Sequence, residues 1–171
     1  MSAGNRIQGR ICELVIRTSE GEFIAGYSAK GLCALEFPSG AKGASDSGSV
    51  PPQVRRWHAV ATKALTQALD GQTPKSLPPL DLTSGTEFQQ RVWSTLRKIR
   101  LGGTWSYGDV AQAMGQPKAV RAVGGACGRN PIPVFVPCHR VVAANQGLGG
   151  FSADLNWKRT LLEREGIRLV D

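Results

Sequence analysis

Three short runs that alternate apolar and polar residues open the chain. "RICELVIRT" and "GEFIAGYS" flank a polar turn around Ser19 to Gly21, and "GLCALEFP" follows as a third apolar-rich run. Period-two alternation turns one side of a strand inward, so the pattern predicts an antiparallel meander with a buried face. The Ser/Gly/Pro-rich "SGAKGASDSGSVPP" then reads as an exposed loop. In "QVRRWHAVATKALTQALDG" the period changes to that of a helix. Val54, Trp57, Val60, Ala61, Ala64, Leu65 and Ala68 form one stripe, and Gly71 is a plausible stop.

The proline-rich "QTPKSLPPLDLTSG" is the expected boundary between a first unit, residues 1–80, and a second, residues 81–171. Beyond it the pattern is helical. "TEFQQRVWSTLRKI" begins with Thr86 as candidate N-cap and carries Phe88, Val92, Trp93, Leu96 and Ile99 on one face. "SYGDVAQAMG" reads as a short helix capped by Ser106, with Asp109 in the capping-box position. "QPKAVRAVGGACG" reads as another, with Pro117 in its first turn. Two short helices joined by "GQP" are expected to form a helix-turn-helix. "IPVFV" reads as a buried strand, and Asn156 to Glu165 as a closing helix with Trp157, Leu161 and Leu162 on one side. The expected fold class is α+β: a small strand-rich N-terminal unit of three antiparallel strands and a helix, then a helical C-terminal one.

Charge adds direction to this outline. The formal net charge of +8 is carried mainly after Gly85; between Phe88 and Arg140 eight basic residues face Asp109 alone. A one-signed field of this kind attracts polyanions. No run is long and apolar enough for a membrane span, and "MSAGNRIQGR" lacks a secretory h-region, so a reducing, cytoplasmic setting is expected. Cys12, Cys33, Cys127 and Cys138 are too irregularly spaced for a disulfide scaffold. With only His58 and His139 available, a histidine-rich metal site is excluded. A mixed zinc set of Cys12, Cys33 and His58 competes with the simpler expectation of buried thiols and a surface histidine.

The chemistry concentrates in "VFVPCHRVV", where Cys138, His139 and Arg140 stand between apolar runs. A thiol becomes nucleophilic as thiolate, which a nearby imidazole or cation favours. Neighbours on an extended strand point to opposite faces, so a water relay or a turn must connect Cys138 to His139. A third group should orient the imidazole; Glu163, Glu165 and Asp109 are candidates, and spacing does not choose among them.

"PVFVPCHRVV" resembles the active-site signature of the O6-alkylguanine–DNA alkyltransferases, repair proteins that move an alkyl group from a base onto their own cysteine. "TEFQQRVWSTLRKI", "WSYGDVAQAMGQPKAVRAVGGACGRNP" and "GGFSADLNWKRTLLEREG" resemble the segments around it in that family, so the likeness runs from about Asp81 to Gly166. It implies Cys138 as alkyl acceptor, His139 as general base through water, and Glu165 as the group orienting His139. Asn130 would brace the turn at Cys138. Tyr107 would hydrogen-bond the flipped base, and Val141, Phe151 and Ser152 would line its pocket. Arg121 would enter the space the nucleotide leaves. Lys118, Ala122 and Arg129 would meet DNA along a helix whose small residues suit the minor groove.

The resemblance further implies a single-turnover protein without cofactor or metal, acting as a monomer on double-stranded DNA with alkylated guanine, and possible on alkylated thymine. Cooperative assembly on DNA is left open. Ala153 and Asp154 stand where many relatives have glycines, Phe151 where tyrosine is common, and Trp105 where a smaller residue is usual. These departures bear on alkyl size. Two other readings compete: a non-repairing protein that binds alkylated bases, and a cysteine hydrolase, for which no oxyanion site is visible.

Overall fold

The computed structural model describes residues 9–40, 48–151 and 153–169. The expected meander is present as β1 (Arg10–Thr18), β2 (Gly21–Ser28) and β3 (Gly31–Glu36), antiparallel in the order β1-β2-β3. Its inward residues Ile16, Phe23, Ala25, Tyr27, Leu32 and Leu35 are all buried. Helix α1 (Pro52–Leu69) lays the predicted stripe against them, burying Val54, Ala61, Ala64 and Leu65. Proline at its first position costs no hydrogen bond, because a first-turn N–H has no partner within a helix. The stop at Gly71 has two causes: its φ is +73°, and a β-carbon there would lie 2.1 Å from the Arg164 carbonyl oxygen.

Five elements with helical or turn geometry follow. Helix α2 (Glu87–Leu96) starts at a capping box between Thr86 and Gln89 and buries Val92, Trp93 and Leu96. Helix α3 (Tyr107–Ala113) starts at a second, between Ser106 and Asp109. Helix α4 (Val120–Gly128), a 3-10 turn at Cys138–Arg140 and helix α5 (Leu155–Arg164) complete the set. Helices α3 and α4 make the helix-turn-helix, but α4 begins three residues later than the sequence pattern predicts. Pro117 and Lys118 lie in the turn, closed by a bond from Ala119 N–H to the Gln116 carbonyl at 2.9 Å.

A two-residue parallel pairing of β4 (Trp105–Ser106) with β5 (Val141–Val142) sets Tyr107 beside the signature segment. Cross-links tie the first half of the chain to the second. Leu35 N–H donates to the Pro131 carbonyl at 2.9 Å, Arg164 Nη1 to the Leu69 carbonyl at 2.9 Å, and Arg164 pairs with Glu20. No helix among the described residues is long and apolar enough to cross a membrane.

Candidate active site

The segment leading to Cys138 is a chain of turns, not the strand expected from "IPVFV". Pro131 and Pro133 cannot donate to a ladder, and Val134 sits at φ +75°, a strained setting for a β-branched residue. Asn130 holds this shape: its Nδ2 donates to the Val136 carbonyl at 2.8 Å, and its Oδ1 accepts from Ile132 N–H at 3.0 Å. Pro137 then leads into the 3-10 turn, closed by Arg140 N–H donating to the Pro137 carbonyl at 3.0 Å. The turn brings Cys138 and His139 onto the buried side together; they are 3% and 1% exposed.

Of the three acids considered, only Glu165 reaches the imidazole. His139 Nε2 lies 2.8 Å from Glu165 Oε1. Glu163 is exposed, and Asp109 is taken up by capping α3, its Oδ2 accepting from Ser106 N–H at 2.7 Å. Arg140 grips the same carboxylate from the other side. Its Nε donates to Oε2 and its Nη2 to Oε1, both at 2.9 Å, while Nη1 holds the Ile99 carbonyl at 2.7 Å. Burial raises the Glu165 carboxyl, but the bonds and charges of His139 and Arg140 outweigh it and hold it near 2. An ionised carboxylate only accepts, so His139 Nε2 carries the hydrogen. Burial lowers the His139 pKa against the opposing pull of Glu165, which favours the neutral ring. Nδ1 is then the basic nitrogen, and it has no hydrogen-bond partner among the described residues.

The Cys138 thiol departs from the expectation of a resting thiolate. Burial raises it to about 11, opposed by a hydrogen bond from Asn130 and the charge of Lys158. Near neutral pH this favours the protonated thiol over the thiolate. Tyr107, half-buried, sits across the site. Its hydroxyl donates to the Gly150 carbonyl at 3.3 Å and accepts from Gly150 N–H at 3.2 Å. Gly149 permits this closeness: at φ +63°, a β-carbon there would lie 3.0 Å from the Tyr107 oxygen. Val141 is buried, Phe151 half-buried, and Ser152 lies outside the described residues.

Lys118, Arg121, Ala122 and Arg129 are exposed on the turn and helix α4. The zinc alternative does not assemble: among the described residues no group of three or more His, Cys, Asp or Glu side chains could hold a metal. His58 is half-buried instead of lying on the surface. Its Nδ1 lies 2.9 Å from the Tyr27 hydroxyl and its Nε2 3.1 Å from the Val15 carbonyl oxygen.

Residues 87–167 match the family model for the DNA binding domain of 6-O-methylguanine DNA methyltransferase. The methylated-DNA–protein-cysteine methyltransferase of Mycobacterium leprae is 50% identical over 107 residues, covering 63% of this chain and 64% of that protein. The Mycobacterium tuberculosis protein of the same description is 54% identical over 89 residues, covering 52% and 53%. These matches thus span between about half and two-thirds of the curated relatives' length. The crystal structure of Mycobacterium tuberculosis OGT in complex with DNA superposes with a TM-score of 0.76 at 35% identity, covering 91% of this chain and 92% of that one. The chain belongs to the O6-alkylguanine–DNA alkyltransferase family. An O6-methylguanine-DNA methyltransferase from the archaeon Pyrococcus kodakaraensis shares the fold at 29% identity, with a TM-score of 0.62 over 91% of this chain and 99% of that one.

Within this chain, one residue at the site, Lys158, escaped the sequence reading. Lys158 is fully buried, and its Nζ donates to the Val141 carbonyl at 2.6 Å and the Gly150 carbonyl at 3.0 Å. Burial brings its pKa down to about 8, against the raising influence of Cys138 and Cys127. Arg140 reads as a cation beside the thiol, but its work is on Glu165 and Ile99. Asp154, one of the departures from the family pattern, is the N-cap of α5, accepting from Asn156 N–H at 2.9 Å.

Proposed function

We propose that this protein repairs DNA by moving an alkyl group from O6-alkylguanine in a duplex onto Cys138, once and irreversibly. The observation that carries the reading is the buried line Glu165–His139, ending at an open Nδ1 beside the Cys138 turn. A water between Nδ1 and Sγ relays the proton. The thiolate attacks the alkyl carbon, a carbon–sulfur bond forms, and the bond from that carbon to O6 breaks. The electron pair stays on guanine, where the Tyr107 hydroxyl quenches the charge. The thioether has no easy return path, so each molecule acts once.

The target atom is hidden inside the base stack, so the nucleotide must rotate out. Exposed Arg121 fills the space it leaves, while Lys118, Ala122, Arg129 and the start of α4 meet the backbone and minor groove. Such contacts are nearly sequence-independent and weaken with salt. Val141 and Phe151 form walls around the base, and Asn130 braces the acceptor turn. Residues 1–80 serve as a supporting unit and 81–171 as the DNA-binding and acceptor unit. The protein acts as a monomer and needs no cofactor.

The deciding experiment offers duplex DNA containing O6-methylguanine and follows the intact mass. One methyl group should appear on Cys138, in an amount no larger than the protein present, and Cys138→Ser should abolish uptake while retaining DNA binding. Repeated turnover, or a methyl on another residue, overturns the assignment. Binding to alkylated DNA without uptake by the native chain would make it a non-repairing recognition protein.

A further inference from the structure

Phe151 lies on the loop between β5 and α5, and the residue behind it comes from the opposite end of the chain. Phe37, directly after β3, packs its ring on Phe151 with centroids 6.0 Å apart at 67°. Phe37 also meets Trp157 of α5 at 5.0 Å and Phe23 of β2 at 5.4 Å. Phe23 is fully buried and touches Trp157 at 5.5 Å. Tilted and edge-on aromatic pairs at these separations are favourable, directional contacts. The stack therefore fixes the Phe151 ring from a rigid sheet. Beside it opens a cleft of about 500 Å³ bordered by Phe37, Trp157, Asn130, Pro133, Ala153 and Asp154. Phe37 thus meets the Phe151 ring and also borders the cleft.

We propose that Phe37 is a positioning residue that sets alkyl-size specificity: by backing Phe151, the N-terminal sheet limits how far the pocket wall can recede. This rests on the reading of Phe151 as a wall of the base pocket. With the Phe37 ring in place, Phe151 stays forward and favours small alkyl groups. Without it, Phe151 can fall back toward the cleft, and a bulky group gains the space needed for in-line attack by sulfur.

The test compares single-turnover transfer from oligonucleotides carrying O6-methylguanine or O6-benzylguanine. Phe37→Ala should raise the benzyl-to-methyl rate ratio by about tenfold, the scale on which small changes in an apolar pocket discriminate. Phe23→Leu loosens the same stack one ring further from Phe151, so it should lower thermal stability and raise the ratio far less than Phe37→Ala. Phe37→Leu carries the comparison if the alanine variant does not fold, with a smaller rise in the same direction. Equal ratios in the Phe37 and Phe23 variants, or equal slowing of both substrates, overturn the inference. A native protein that accepts neither group overturns the alkyl-transfer reading, and this inference with it.

Discussion

His139 Nε2 and Glu165 Oε1 meet at 2.8 Å with both side chains shielded from solvent, and this contact decides which ring nitrogen is basic. Because Glu165 stays ionised, it holds the hydrogen on Nε2 and leaves the Nδ1 lone pair as the proton acceptor of the proposed relay.

Glu165→Gln keeps the shape and removes the charge. The amide no longer stabilises the imidazolium that forms on proton transfer, and it leaves Arg140 without its ion pair. Alkyl transfer should slow by about 100-fold or more, as in other hydrogen-bonded relays that lose their acid. Unfolding stability should fall by about 3 kcal/mol, the scale for breaking a buried pair. Single-turnover rates and thermal melts measure the two effects; unchanged rates would remove Glu165 from the relay.

The same pair predicts a stability loss on the acid side. Glu165 has a folded pKa near 2, below its ordinary value of 4.5. The unfolded chain takes up that proton first, so the Glu165 contribution is complete above about 4.5 and disappears as pH falls toward 2. His139, also lowered when folded, begins the loss earlier, as pH drops below its ordinary 6.5. Denaturant midpoints should fall progressively from about pH 6.5 downward. In Glu165→Gln the part of the slope below about 4.5 should flatten.

Lys158 gives a prediction about the sulfur itself. Its ammonium holds carbonyls from both sides of the site and opposes the burial that keeps Cys138 protonated. Lys158→Met retains the apolar stem and loses the charge. Labelling of Cys138 by iodoacetamide at pH 7, where the Lys158 ammonium is mostly charged, should slow by about tenfold, the equivalent of one pKa unit. Thermal melts on the same sample separate this from loosened packing, and an unchanged labelling rate would mean the lysine serves only as a strut.

Much of this architecture could be read along the chain because it rests on local rules. The meander, the α1 stripe and the caps at Thr86 and Ser106 each follow from neighbours a few residues apart. The proposed acceptor, its proposed base and Glu165 came from the PCHR signature and the "LLEREG" segment, through the family resemblance. What stayed hidden depends on contacts between distant segments. "IPVFV" has strand composition, yet Asn130 and two prolines bend it into turns. Lys158 looks like an ordinary solvent-facing helix lysine until α5 packs against Val141 and Gly150. The raised Cys138 pKa depends on burial that no short motif reports. The β4–β5 pair is two residues long, below what periodicity can detect.

Arg121 tests the link between the exposed helix-turn-helix and the buried thiol. The side chain is exposed on α4 and is expected to act only when a duplex is present. Its proposed work is to occupy the gap left by the rotated nucleotide, a step that free O6-benzylguanine does not require. Arg121→Ala should therefore slow transfer from duplex DNA by about 100-fold, as a few kcal/mol of unstacking goes uncompensated. Transfer from the free base should stay at the native rate, because Cys138, His139 and Glu165 are untouched. The salt dependence of duplex binding should also weaken by about one phosphate contact if the guanidinium stays near the backbone. Equal losses on duplex and free base would mean that Arg121 supports the fold of the site, and its role in extrusion would be withdrawn.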